Sequence, residues 1–157
     1  MILIDRDSPH RDDVHLLLSE HLADMFATSP AESVHALDPA ALAGPDISFW
    51  TAREGGALLG CGALKVLKPV PGQAASAELK SMRTSAQARG RGVATLMLLH
   101  ILADARANSL ERVYLETGTE DYFAPARRLY ARHGFTECPP FADYRPDPNS
   151  VFMELQL

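Results

Sequence analysis

Residues 87–95 carry the clearest chemistry of the chain. Gln87-Ala88-Arg89-Gly90-Arg91-Gly92-Val93-Ala94-Thr95 joins a strand to an apolar helix through a loop of pattern Gln-x-x-Gly-x-Gly. Glycine lets backbone approach a ligand closely and takes positive φ without a Cβ clash. The first N–H groups of the following helix lack intrahelical partners and carry its positive end. Such a loop is an anion site suited to a phosphate or pyrophosphate, and Arg89 and Arg91 add fixed positive charge. Glu78 stands in the strand before the loop and Glu116 in a strand after the helix. On adjacent strands the two carboxylates would approach each other, which raises one pKa toward neutrality. Tyr130 lies on a later helix, where a tyrosine by itself reads as a packing aromatic. In the stretch 139–150, Asp143 or Asp147 would attract an amine and Arg145 a carboxylate; the same stretch also reads as a proline-stiffened solvent loop.

The positioning elements follow from pattern. A strand over 2–4 leads to Ser8-Pro9, a helix-start signal. Val14, Leu17, Leu18, His21, Leu22, Met25 and Phe26 then form one helical stripe, with His21 expected to be packed and hydrogen-bonded. Ser29-Pro30-Ala31-Glu32 repeats the start signal with a capping-box glutamate, predicting a short helix to residue 37. A brief turn begins at Asp38-Pro39. The segment 47–53 is a strand, Glu54-Gly55-Gly56 a hairpin turn, and 57–67 the return strand, where Gly60 and Gly62 mark a bulge or close packing. A third strand over 75–84 enters the glycine loop. Its alternation places Glu78, Lys80, Met82 and Thr84 on one face and Leu79, Ser81 and Arg83 on the other. The helix over 93–108 is apolar on most of its circumference and should be buried. The strand over 113–117 completes a βαβ unit and is therefore parallel to the strand before the loop. A helix over 124–133 capped by Gly134 and strands over 135–138 and 151–155 end the chain.

Composition narrows the partners. At 157 residues, one domain over 1–157 is expected. Hydrophobic residues make up 46% and charged residues 22%, ordinary for a globular chain. The net charge of −5 disfavours a nucleic-acid binder, which needs a broad basic face, and makes the Arg83, Arg89, Arg91 cluster a site for a small anion. Cys61 and Cys138 are too few for a disulfide framework and read as small buried thiols in strands. Neither a leader peptide nor a membrane-length apolar run is apparent, so a cytoplasmic location is expected, with no membrane partner. No His/Cys/Asp group has metal-ligand spacing, so no metal is expected.

The glycine loop resembles the acetyl-CoA signature of the GNAT superfamily of N-acetyltransferases. Ala126-Arg127-Arg128-Leu129-Tyr130-Ala131-Arg132-His133-Gly134-Phe135 resembles that family's second signature, Ala-x-x-Leu-Tyr-x-x-x-Gly-Phe, at the expected distance. The order of elements is similar over nearly the whole chain. The resemblance implies a mixed α/β fold with a six- to seven-stranded sheet, about four helices, and a splayed parallel strand pair that binds acetyl-CoA. It implies that Gln87, Arg89, Gly90, Arg91, Gly92, Val93, Ala94 and Thr95 cradle the diphosphate. Backbone N–H groups of Met82 and Thr84 would polarise the thioester, Ala126 would contact the arm, Glu78 would be the base with Glu116 as its rival, and Tyr130 would protonate the leaving thiolate. One position departs: Phe123 stands where many relatives carry a pantetheine-binding asparagine. Glu32 and His35, in the helix pair after the first strand, and Asp143 and Tyr144 are acceptor-side candidates; Glu32 also reads as a cap and His35 as solvated. The implied reaction is direct acetyl transfer to a small primary amine. A non-catalytic acetyl-CoA sensor and a protein or peptide acetyltransferase are the rivals. The exposed edge of the last strands allows a homodimer.

Overall fold

The computed structural model describes all residues 1–157. Seven strands form one sheet in the order β1-β2-β3-β4-β5-β7-β6. They are β1 (Leu3–Arg6), β2 (Ile47–Glu54), β3 (Ala57–Val66), β4 (Ser76–Thr84), β5 (Arg112–Gly118), β6 (Thr136–Glu137) and β7 (Ser150–Gln156). Four helices join them: α1 (Asp12–Thr28), α2 (Pro39–Leu42), α3 (Val93–Ala107) and α4 (Ala124–Arg132). β1 to β4 form an antiparallel meander, β4 and β5 are parallel, and β7 lies antiparallel between β5 and β6. The β2–β3 hairpin turns on Gly55 and Gly56, both at positive φ, as a two-residue hairpin turn with the twist of its strands requires.

Each face of the sheet has its own core. α3 seats Met97, Leu98, Ile101 and Leu102 against Leu64, Leu79, Val113 and Leu115. On the other face, Val14, Leu17 and Leu18 of α1 pack with Leu42, Phe49, Cys61 and Ala63. Each such buried aliphatic side chain contributes roughly 1.5–3 kcal/mol. No helix is long and apolar enough to cross a membrane.

Several expected boundaries move. α1 begins at Asp12 rather than at Ser8-Pro9, and Arg11 at its N-cap makes no side-chain cap bond. The Ser8 hydroxyl instead accepts from the His10 N–H at 3.2 Å, a local turn that competes with helix, while Asp12 and Asp13 complement the dipole of the first turn. The predicted helix after Ser29 shrinks to a 3-10 turn over Ala31–Ser33 without a side-chain cap. Phe26 falls outside the buried stripe of α1, and Leu96 and Leu99 leave one side of α3 open to solvent, because the sheet covers only one side of that helix. Cys61 is buried, whereas Cys138 is half-buried just beyond β6.

Candidate active site

The site begins where β4 stops being a regular strand. Its register with β3 shifts between Cys61↔Arg83 and Ala63↔Lys80, and Ser81 takes φ +54°. This β-bulge resets the alternation of side chains. The expected grouping of Glu78, Lys80, Met82 and Thr84 on one face is therefore corrected. Met82 packs toward α3: a Cβ on Gly62 would meet its Sδ at 2.8 Å together with Met97 and Ile101. Arg83 turns to the α1 side, where its Nη1 pairs with Asp24 Oδ2 at 2.7 Å and donates to Tyr122 Oη at 3.0 Å. β4 and β5 pair only from Ser76↔Arg112 to Glu78↔Tyr114. Beyond that point β4 runs on to Thr84, while β5 stays with β7 as far as Gly118↔Ser150. The parallel pair thus forks.

A cavity of about 620 Å³ fills one side of the fork. Met82, Arg83 and Thr84 line it from β4, Gly90, Gly92 and Val93 to Thr95 from the loop and α3, and Phe123, Ala126 and Tyr130 from the opposite wall. Gly90 and Gly92 stand at φ +79° and +78°, and a Cβ on either would meet no protein atom within 4 Å. Their left-handed conformation leaves an open cradle at the N-terminus of α3, as an anion requires. Besides Arg83, three further arginines line it, Arg89, Arg128 and Arg132. Arg128 and Arg132 are additions to the sequence reading; their i, i+4 spacing, which shares one helix face, was the available signal. Two candidates stand outside the cavity lining. Gln87 is exposed in the 3-10 turn Ala86–Ala88, whose buried residue is Ala88. Arg91 is drawn off to Glu54 Oε1 at 2.7 Å. Phe123 covers Gly118, where a side chain would collide with its ring, so this wall is apolar. The open cradle, the arginines and the free edge of β4 suit acetyl-CoA.

A second, compact cavity of about 100 Å³ lies on the other side of the fork. Glu78 and Lys80 enter it from β4, Leu115, Glu116 and Thr117 from β5, His35 from the segment after α1, and Tyr144 from the loop after β6. Lys80 Nζ lies 3.1 Å from Glu78 Oε2, with both side chains under a tenth exposed. Tyr144 Oη donates to the same Oε2 at 2.5 Å and accepts from Lys80 at 3.2 Å. Burial, then the Glu78 charge, pushes the Tyr144 phenol far above its usual range, so Tyr144 keeps its proton. Glu116 Oε2 accepts from Ser150 Oγ at 2.8 Å. Burial raises the Glu116 carboxyl to about 7, against the lowering effects of the Ser150 bond and the Lys80 charge; Glu78 and Asp147 reinforce the rise.

The loop 139–149 is a wall rather than a solvent excursion. Tyr144 meets Phe141, Phe152 and His35 with ring centroids 5.0, 5.4 and 4.9 Å away. Ser33 Oγ donates to Asp147 Oδ2 at 2.7 Å and ties the loop to the segment after α1. Asp147 is therefore spent on structure. Glu32 and Asp143 are exposed and outside the cavity, because the 3-10 turn buries Ser33 in place of Glu32 and Tyr144, not Asp143, turns inward.

His21, Met82, Phe123, Ala126 and Tyr130 line both cavities and so mark their junction. Tyr130 is 7% exposed and packs on Phe135; burial raises its phenol well above the usual value. His21 is packed as expected, but its Nδ1 is buried without a hydrogen-bond partner, a correction to the hydrogen-bonded histidine of the sequence reading. Burial first, and the Arg83 charge second, lower its imidazole to about 4, with Asp24 opposing.

Known proteins are similar to this chain in sequence and in fold. The sequence model of the Acetyltransferase (GNAT) family matches residues 14–135. The chain is 52% identical to the uncharacterized N-acetyltransferase YsnE of Bacillus subtilis over 141 residues, 90% of each chain. It is 40% identical to an IAA acetyltransferase of Azospirillum brasilense, over 99% of this chain and 98% of that one. A crystal structure described as an acyl-CoA N-acyltransferase of Klebsiella pneumoniae superposes with a TM-score of 0.79 at 28% identity, covering 100% of this chain and 98% of that one. A Bacillus subtilis acetyltransferase crystallised with CoA shares the fold at a TM-score of 0.71 and 15% identity, covering 100% and 99%. The chain belongs to the GNAT family of acetyltransferases, enzymes whose acetyl donor is acetyl-CoA.

Proposed function

We propose that this acetyltransferase acetylates the primary amine of a small molecule. The observation that carries the reading is the meeting of two unlike cavities at the β4–β5 fork, one large and ringed by arginines, one compact and lined by carboxylates. The first suits acetyl-CoA. Gly90, Gly92 and the first amides of α3 would hold its diphosphate with Arg89, Arg128 and Arg132, and the edge of β4 past Glu78 would hold the arm by strand addition. The compact second cavity, roofed by Tyr144, supports a small amine over a peptide, which needs an open groove.

When bound, acetyl-CoA supplies the acetyl group activated as a thioester. The chain supplies proton handling. Glu116 suits the base role better than Glu78. The Glu78 charge is held by Lys80 and the Tyr144 proton, whereas Glu116 Oε1 makes no protein hydrogen bond and can take an ammonium proton. Tyr130 Oη holds a proton at the junction, where a departing thiolate needs one. These ionisable groups also favour an enzyme over a pure sensor, which needs none of them.

Calorimetric titration with acetyl-CoA beside CoA, followed by thiol release over a panel of small primary amines, tests the reading. Binding should stabilise the protein by roughly 2–3 kcal/mol at a hundredfold excess over Kd. Absence of binding to either nucleotide overturns it. Turnover with peptides alone overturns the small-molecule acceptor.

A further inference from the structure

We propose that His21 is a further catalytic residue, whose Nε2–H reaches into the junction of the two cavities and donates a hydrogen bond to the carbonyl oxygen of the acetyl group. The inference rests on the acetyltransferase reading above and goes beyond it, because neither signature of the chain includes α1.

Three observations carry it. His21 is one of five residues that line both cavities. Of the five, only His21 and Tyr130 have side chains that can donate a hydrogen bond. Its two ring nitrogens differ: Nδ1 is buried without a partner, while Nε2 makes no protein hydrogen bond and is not among the fully buried unpaired atoms, which leaves it the nitrogen free to meet a ligand. The proton follows from that difference. An orphaned buried N–H is rarer than an under-satisfied acceptor, so the neutral ring keeps its proton on Nε2 and leaves the lone pair on Nδ1.

The surroundings hold the ring neutral. Burial first, then the Arg83 charge, disfavours imidazolium, and Asp24, which opposes them, is occupied by its own pair with Arg83. A neutral imidazole donor keeps its proton and transfers none. The amine lone pair forms the C–N bond, the C–S pair leaves with sulfur, the ammonium proton passes to the carboxylate, and the sulfur takes its proton from Tyr130 Oη. His21 only strengthens its hydrogen bond as charge gathers on the carbonyl oxygen, as a preorganised oxyanion donor does.

Glutamine places an N–H donor near the position of Nε2, whereas leucine offers none. With acetyl-CoA and the amine panel, His21→Leu should lower kcat about tenfold to a hundredfold, with the affinity for CoA unchanged, and His21→Gln should recover most of the loss. Calorimetry adds a readout independent of turnover: the ratio of acetyl-CoA to CoA affinity should fall in His21→Leu and return in His21→Gln. Nitrogen-15 NMR of the unliganded wild-type protein should report the Nε2–H tautomer, uncharged at pH 6. Equal kcat in His21→Leu and wild type, equal loss in both variants, or an Nδ1–H tautomer overturns the role of His21 while the acetyltransferase reading stands. A wild-type protein that binds neither nucleotide overturns both.

Discussion

Tyr144 Oη donates a hydrogen bond to Glu78 Oε2 at 2.5 Å from 66 positions along the chain. That bond closes the loop 139–149 over the compact cavity and occupies one oxygen of a carboxylate that β4 already pairs with Lys80. Tyr144→Phe removes it while keeping the ring contacts with Phe141 and Phe152. The variant should lose about tenfold in kcat/KM for the amine, chiefly through KM, with acetyl-CoA affinity within twofold of wild type. Steady-state kinetics against each substrate separates the two.

With Glu116 as the proposed base, its carboxyl should set the pH dependence. A base must be unprotonated, so the rate should climb as pH rises through about 7, the value to which burial lifts this carboxyl, and Glu116→Gln should remove that limb and most of kcat. Stability has the opposite sign. The folded state holds the Glu116 proton more tightly than the unfolded chain, so its contribution is present below the ordinary carboxylate pKa and is lost as pH rises through about 7. Thermal melts should accordingly show Glu116→Gln gaining on wild type at pH 8 and not at pH 4.5.

Tyr130→Phe deletes one hydroxyl from a buried ring and leaves the packing on Phe135. As loss of a general acid, it should lower kcat by about 10² or more and leave acetyl-CoA affinity almost untouched. Parallel losses in both would assign Tyr130 to binding.

Lys80→Met would strand a carboxylate that is 6% exposed. Breaking a buried pair from one side costs about 3 kcal/mol or more. Urea denaturation at pH 7 should register that loss, and the Lys80→Met/Glu78→Gln double variant should recover most of it, because the uncompensated charge is then gone.

Gly90→Ala and Gly92→Ala meet no protein atom, so the folded state bears only the strain of positive φ, of order 1 kcal/mol each. Nucleotide affinity should fall by about tenfold or more, because the added Cβ stands where phosphate must approach. Melts and calorimetry run on the same samples distinguish the two effects.

Much of the frame was legible because it depends on local chemistry. The Gly55-Gly56 hairpin, the βαβ unit and the anion loop follow from residues close in sequence. The β4 bulge was not legible: Ser81 is neither Gly nor Asn, the residues that usually mark positive φ, and its conformation is imposed by pairing with β3. Arg91 and Gln87 share the glycine loop with Gly90 yet miss the cavity, since a distant glutamate claims one and a 3-10 turn exposes the other. Arg128 and Arg132 were visible only as a helix face whose direction needed the fold.

The sequence by itself determined the order and kind of the main elements, the parallel step from β4 to β5 and the place of the glycine loop at the start of α3, because hydrophobic periodicity, glycine and helix ends act over a few residues. Tertiary structure decided the roles of the charged groups. It paired Glu78 with Lys80 and Tyr144, left Glu116 half-buried with a raised pKa, spent Asp147 on Ser33, and stripped His21 of a partner for Nδ1. A side chain's protonation and reach depend on burial and on neighbours brought from distant parts of the chain, which only the packed sheet supplies.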